Sequence, residues 1–430
     1  MDKHNLGIKG ANLASVLILF DQLLLPMLHL GVPFKLSYLL LLLWPAFWLL
    51  SQSSNPSRVG LAEPIPSLTL LLVMVTFGEW YFRLYFTPAD NGPYVKVAAI
   101  YILCICAFGV GSASRRFEFN SIIVAFFGVA FLNAIFILVN TKLPGFVIDF
   151  YYPERVLIDR EGFRSTEEIL SLSRPRGFAG NPNVSMVLTN VAFLFVYLSV
   201  KHRVLQLRRM TLVLALTFIP IVLSILLQSR SGFLVAVFQA SLFLFLQRRN
   251  FNFKLRKFVW PTTFITCCSL AFALKTFEID LSRSIARLAT IVTQAFDFSA
   301  DSAENIVRPI MTLDVFVDRF LLSPLFGSGV SASSEQTFSD GTMYFHNDWF
   351  HLLASSGLLG SLLFAFVLWK IARHLGLAVL IPFVIPGMTN TFLLNIPAMI
   401  SYFLVMGILV TSIKVGGSAA TPHQLVERGG

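Results

Sequence analysis

The sequence predicts an all-α polytopic integral membrane protein of about twelve transmembrane helices, with a large outer loop that contains amphipathic helices. Three observations predict it. First, the chain of 430 residues is 56% hydrophobic and only 13% charged, where a soluble domain carries about one-quarter charged residues. Second, the apolar residues come in runs of roughly 20, the length that a hydrocarbon core demands of a helix. Third, lysine and arginine are spread unevenly over the connections between those runs.

In chain order the apolar segments lie near 11–31, 34–50, 67–87, 94–111, 121–140, 183–200, 210–228, 231–247, 258–276, 347–369, 375–391 and 395–413. They form one transmembrane domain over residues 1–414. The first segment lacks a small-residue cleavage site and reads as an anchor. Asp21 stands alone in it. Glu79 and Arg83, four residues apart in the third segment, face the same way and are expected to pair. Cys104, Cys106, Cys267 and Cys268 all fall inside apolar runs and read as small buried residues, not as disulfides or metal ligands. Residues 415–430 are small and polar, and are expected to form a disordered cytoplasmic tail.

With the N-terminus in the cytoplasm, the inner connections collect basic groups such as Arg115, Arg116, Arg208, Arg209, Arg248, Arg249, Lys254, Arg256 and Lys257. The two long loops then fall outside. Residues 141–182 hold six basic and six acidic residues, and residues 277–345 hold four basic and nine acidic. The net charge of +10 is therefore a topology signal, and a nucleic-acid partner has little support.

Within the second outer loop, Leu281, Ile285, Leu288, Val292 and Ala295 recur at helical spacing, with Arg283 and Arg287 one turn apart on the other face. Those arginines meet either lipid headgroups or a diphosphate. A further helix is expected between Pro309 and Pro324. The first outer loop ends in Arg174-Pro-Arg176-Gly-Phe-Ala-Gly180-Asn-Pro-Asn183. Asn181 suits a helix cap, with Pro182 at the first position. Arg174 and Arg176 stand at a helix N-terminus that already favours anions. Gln228-Ser-Arg230-Ser-Gly232 is a short outer connection, so the positive-inside pattern does not account for Arg230. A guanidinium at that depth wants a partner, and a diphosphate would be gripped bidentately. The alternative is an arginine that snorkels without a ligand.

The most informative stretch is Phe326 to Gly360, which holds Gly329, His346, Asn347, Gly357 and Gly360. A neutral histidine at the water–lipid boundary suits a general base, although it also suits a simple helix cap. His351, five residues on, faces elsewhere on the helix and is a weaker base candidate.

Together these motifs resemble the bacterial O-antigen ligases and the related O-antigen and exopolysaccharide polymerases. The resemblance rests on His346-Asn347, nine residues, Gly357, two residues, Gly360, and on the Arg-Gly-Phe-Ala-Gly-Asn-Pro-Asn, Gln-Ser-Arg-Ser-Gly and Pro324-Leu-Phe-Gly-Ser-Gly329 stretches. It covers most of residues 174–370. One departure stands out: many polymerases carry a glutamate shortly before the first glycine, where this chain has Ala354-Ser355-Ser356, so that an orienting carboxylate is missing unless Asp348 substitutes. The resemblance implies a multi-pass enzyme of the bacterial inner membrane with both termini cytoplasmic and a periplasmic active site. The implied donor is a glycan on undecaprenyl diphosphate. The acceptor is a sugar hydroxyl, on lipid A-core in a ligase or on another lipid-linked repeat unit in a polymerase. His346 would act as base, and Arg230 with Arg283 or Arg287 would hold the diphosphate. The short first outer connection, Gly31 to Phe34, holds no carboxylate, so neither metal nor cofactor is expected. A flippase for the same lipid-linked glycan is the rival class; it would need ionisable residues along a midplane path.

Overall fold

A computed structural model describes residues 3–25, 28–29, 33–43, 64–85, 92–114, 119–142, 177–179, 182–206, 210–247, 316–330, 337–338, 341–342, 347–384, 386–389 and 392–418. Among them regular structure is helical, apart from two antiparallel two-residue pairings, β1 (Leu28–His29) with β2 (Pro33–Phe34) and β3 (Thr337–Phe338) with β4 (Gly341–Thr342). The helices are α1 (Lys3–Leu24), α2 (Ser37–Leu42), α3 (Pro64–Tyr85), α4 (Gly92–Ala113), α5 (Asn120–Lys142), α6 (Pro182–Lys201), α7 (Met210–Leu226), α8 (Arg230–Gln247), α9 (Asp348–Leu375), α10 (Ile381–Val384), α11 (Pro386–Thr389) and α12 (Ile396–Ser418). Residues 316–322 are also helical and stop before Pro324, as expected.

Six helices among the described residues, α4, α5, α6, α8, α9 and α12, are long and apolar enough to cross a membrane, and α3 and α7 contribute shorter apolar stretches. The expected segment near 258–276 lies outside the described residues. Two expected segments look different. The first helix begins at Lys3 and ends at Leu24, short of residue 31. The segment expected over 375–391 is broken into a 3-10 turn, Leu377–Leu380, and the short α10 and α11. Gly376 stops α9 at φ 88°, a conformation that suits glycine. Pro382 and Pro386 each remove an N–H donor and so prevent a continuous helix.

Packing follows from the side chains. Nearly all of α6 is buried, as befits a helix that is apolar on every side. Between apolar helices in lipid, close contact replaces the hydrophobic drive, and small residues allow it. Gly111 of α4 sits against the backbone of Leu404 and Ile408, and Gly407 of α12 against Phe108 and Ser112. Tyr402 of α12 stacks edge-on against Phe383 at 5.2 Å, and its hydroxyl donates to Val379 O at 2.9 Å.

The lone charges find partners. Lys35 donates to the carbonyls of Asp21 (2.6 Å), Gln22 (3.1 Å) and Leu25 (2.7 Å), closing the C-terminal end of α1. Asp21 is not isolated: its carboxylate accepts from Ser37 N at 2.9 Å. Glu79 and Arg83 pair at 2.9 Å, as their spacing predicts. Cys104 and Cys106 are buried free thiols.

Candidate active site

Two clusters of backbone-directed polar contacts form at one end of the bundle. The first gathers the start of α6 and the start of α8. Phe178 is buried, and Ala179 N donates to Ser185 Oγ at 3.3 Å. Gly177 leaves no room for a side chain beside Asn133 and Ser185. The chain thus enters α6 pressed onto α5. The turn from α7 to α8 is tight, with Gln228 at φ 52°. Ser229 caps α8 by accepting from Gly232 N at 3.2 Å, and its hydroxyl donates to Asn183 Oδ1 at 3.0 Å. Asn190 Nδ2 donates to Gly232 O at 3.1 Å, and Gly232 packs on Met186. Arg230 is therefore the first residue of a capped helix, beside the first turn of α6. Two helix N-termini lie side by side, and both favour an anion.

The second cluster is built around α9. Asn347 caps it, its Oδ1 accepting from Trp349 N at 2.9 Å and Phe350 N at 3.3 Å. Ten residues further on, the helix breaks at Gly357 (φ 64°, ψ −170°). A break strands backbone groups that must be satisfied elsewhere. The Pro324-Leu-Phe-Gly-Ser-Gly329 turn does this. Leu358 N donates to Pro324 O at 2.8 Å, Leu359 N to Leu325 O at 3.1 Å, and Ser328 N to Ala354 O at 2.8 Å. The fit needs glycine on both sides. Gly327 (φ 80°) lies against the backbone of residues 355–357, and Gly329 (φ 83°) against Glu79 of α3. Gly360 has Ser356 on one side and Leu71 of α3 on the other. The two glycine motifs are thus halves of one clamp on a helix kink. The helical turn over 316–322 is tied in as well. Phe316 stacks on Phe350 at 4.5 Å, and Ser328 Oγ donates to Arg319 O at 2.7 Å.

Asp348 joins the clusters. Its Oδ2 accepts from Phe392 N at 2.7 Å and Leu393 N at 3.0 Å, and Phe392 lines a small space together with the α6 and α8 side chains Val187, Asn190, Val235 and Gln239. The aspartate considered as a stand-in for the missing glutamate is committed to holding this loop. The position of that glutamate is flanked instead by α3, since Gly78 packs against Ser355 O and carries Glu79 beside Gly329. His351 is buried within the protein.

Of the candidate residues, Asn183, Arg230, Gly329, Asn347, Gly357 and Gly360 are placed, and the structure brings all of them to these two clusters. Arg174, Arg176, Asn181, Arg283, Arg287 and His346 lie outside the described residues. His346 immediately precedes the capping Asn347. Among the described residues no group of three or more His, Cys, Asp and Glu side chains could hold a metal. Sequence reasoning passed over Asn190 and Gln239, although a polar side chain in an apolar helix is a signal that could have found them.

The six helices of membrane length among the described residues define a multi-pass helical membrane protein. Residues 213–365 match the family model described as O-antigen ligase. The match spans α7, α8, the 324–329 clamp and the kinked first half of α9. No curated protein matches the chain.

Proposed function

We propose that the protein is a membrane glycosyltransferase of the O-antigen ligase type, in lipopolysaccharide and surface-polysaccharide biosynthesis. It moves a glycan from an undecaprenyl diphosphate carrier to a sugar hydroxyl on lipid A-core at the periplasmic face of the inner membrane. The observation that carries this reading is the meeting of the α6 and α8 N-termini, with Arg230, and the capped start of α9 that follows His346, within a chain whose residues 213–365 match the O-antigen ligase family. In full the chain crosses the membrane about twelve times, with both termini cytoplasmic and the loops over 141–182 and 277–345 outside.

In the reaction, neutral His346 takes the proton of the acceptor hydroxyl. The acceptor oxygen bonds to the anomeric carbon as the bond from that carbon to the diphosphate oxygen breaks. Undecaprenyl diphosphate leaves with the bonding pair. Its charge is met by Arg230, by Arg283 or Arg287, by Arg174 and Arg176, and by the helix N-termini. Attack opposite the leaving group inverts the anomeric centre. No metal or cofactor has a part in this scheme, so turnover should withstand EDTA.

The test is the surface-glycan profile of a strain lacking the gene, rescued with wild-type or His346→Ala protein. A ligase leaves lipid A-core bare while polymer accumulates on the carrier, and His346→Ala fails to restore it. Collapse of the long ladder to a single capped repeat would instead identify a polymerase. Full rescue by His346→Ala would sink the catalytic assignment and favour a flippase, for which the broken segment after α9 is the feature in support.

A further inference from the structure

Between α6, α8 and the broken segment lies a small space, with room for about one water molecule. Most of its wall is apolar, but Asn190 and Gln239 face it, and Pro382, Pro386 and Phe392 close it. Both amides are buried, Asn190 at 3% and Gln239 at 1% exposure. Asn190 Nδ2 donates to Gly232 O. Its Oδ1, and both amide atoms of Gln239, have no hydrogen-bond partner among the described residues. Buried amides without partners are strongly disfavoured. Irregular backbone at membrane depth is likewise tolerated only where it is enclosed by protein or lines a hydrated cavity. An empty space of this kind is stable when its walls are apolar throughout, and here they are not.

We infer that one resident water molecule occupies this space, donating a hydrogen to Asn190 Oδ1 and bonding the Gln239 amide. The water ties the middle of α6 to the middle of α8, where Pro382, Pro386 and Phe392 close the space. Phe392 is held in turn by Asp348, so the water sits between the Arg230 helix and the loop that Asp348 anchors. The site stands apart from the glycosyl-transfer reading and holds whether or not that reading does.

The test uses the full chain in lipid nanodiscs, at a resolution that shows ordered waters. One density peak is expected within hydrogen-bond distance of Asn190 and Gln239. An empty space, or a direct hydrogen bond between the two amides, would overturn the inference. Gln239→Leu, which removes the amide and fills the space, should abolish the peak and leave the thermal midpoint equal to or above that of wild type. Gln239→Ala, which removes one of the water's two anchors and enlarges the space, should lower the midpoint. The opposite order of the two variants would count against the water. A midpoint that rises with sodium at constant ionic strength would show a bound cation, and would also overturn it.

Discussion

Single side chains decide how α9 begins. Asn347 meets two of the N–H groups that every helix start leaves without a partner. Asn347→Ala should therefore lower stability by about 1 kcal/mol, read as a shift of the unfolding midpoint in nanodiscs. Asp348 has more to lose, because its buried carboxyl oxygen accepts two backbone N–H groups that its removal would leave without a partner. Asp348→Ala should destabilise by about 3 kcal/mol and loosen the loop over 392–393, seen as faster amide exchange there. If Asp348→Ala abolished turnover without altering stability or exchange, the aspartate would belong to the chemistry and not to the scaffold. A helix start here was legible in the sequence, but the cap considered there was His346, and the structure gives that role to Asn347. The partner of Asp348 was not legible, because Phe392 and Leu393 are 44 and 45 residues away.

The kink in α9 is a device of two elements. Its glycines and those of the 324–329 turn are each explicable by positive φ, but no local rule says that they touch. The clamp does: Gly357 lies on Gly327 and Leu325, and Gly329 lies on Glu79. Gly357→Ala must pay for the backbone conformation, about 1–3 kcal/mol, and must also displace the turn. The variant should unfold at lower temperature than one altered at an exposed α9 position, such as Leu358→Ala, and a midpoint equal to that of Leu358→Ala would refute the clamp. Because the kink directs the half-helix that follows His346, the same variant should lower turnover even where it remains folded. Arg230 stood out in the sequence because charge placement could not account for it. That Ser229 would anchor its helix to Asn183 depended on the fold, since the two residues lie on separate helices.

At the scale of the bundle, charge distribution makes two further predictions. The α6–α8 start and the end of α9 should lie on opposite sides of the membrane. A membrane-impermeant thiol reagent, applied from the periplasmic side to a cysteine-free background, should label Arg230→Cys, which is part-exposed, and spare His202→Cys. The reverse pattern would invert the topology. At the other end, His202 Nε2 and Lys201 Nζ both bond Leu375 O at 3.0 Å. Burial first, and then the Lys201 charge, hold the His202 imidazole below its ordinary value of 6.5, against a raising effect from the Leu375 carbonyl. The sign follows from linkage. Below pH 6.5 the unfolded chain takes up a proton that folded His202 resists, so the stability due to His202 is present above that pH and is lost as pH falls towards the folded pKa. Acidification through this window should lower the unfolding midpoint, and less so in His202→Gln.

Membrane class, helical content, the Glu79–Arg83 pair and the positions of the polar motifs all followed from composition and near-neighbour chemistry. These are properties of residues within a turn or two of one another, and of an apolar chain that must satisfy its own backbone in lipid. Folding settled what lay beyond that range. It set Pro324–Gly329 against the kink at Gly357, joined Asn183 to Ser229, and gave Asp348 to a distant loop. It also broke the chain after Gly376 where hydrophobicity alone suggested one more continuous helix. Each of these depends on which surfaces meet across the bundle, and apolar helices in lipid choose their neighbours by close packing and buried polar contacts, which no single segment carries within itself.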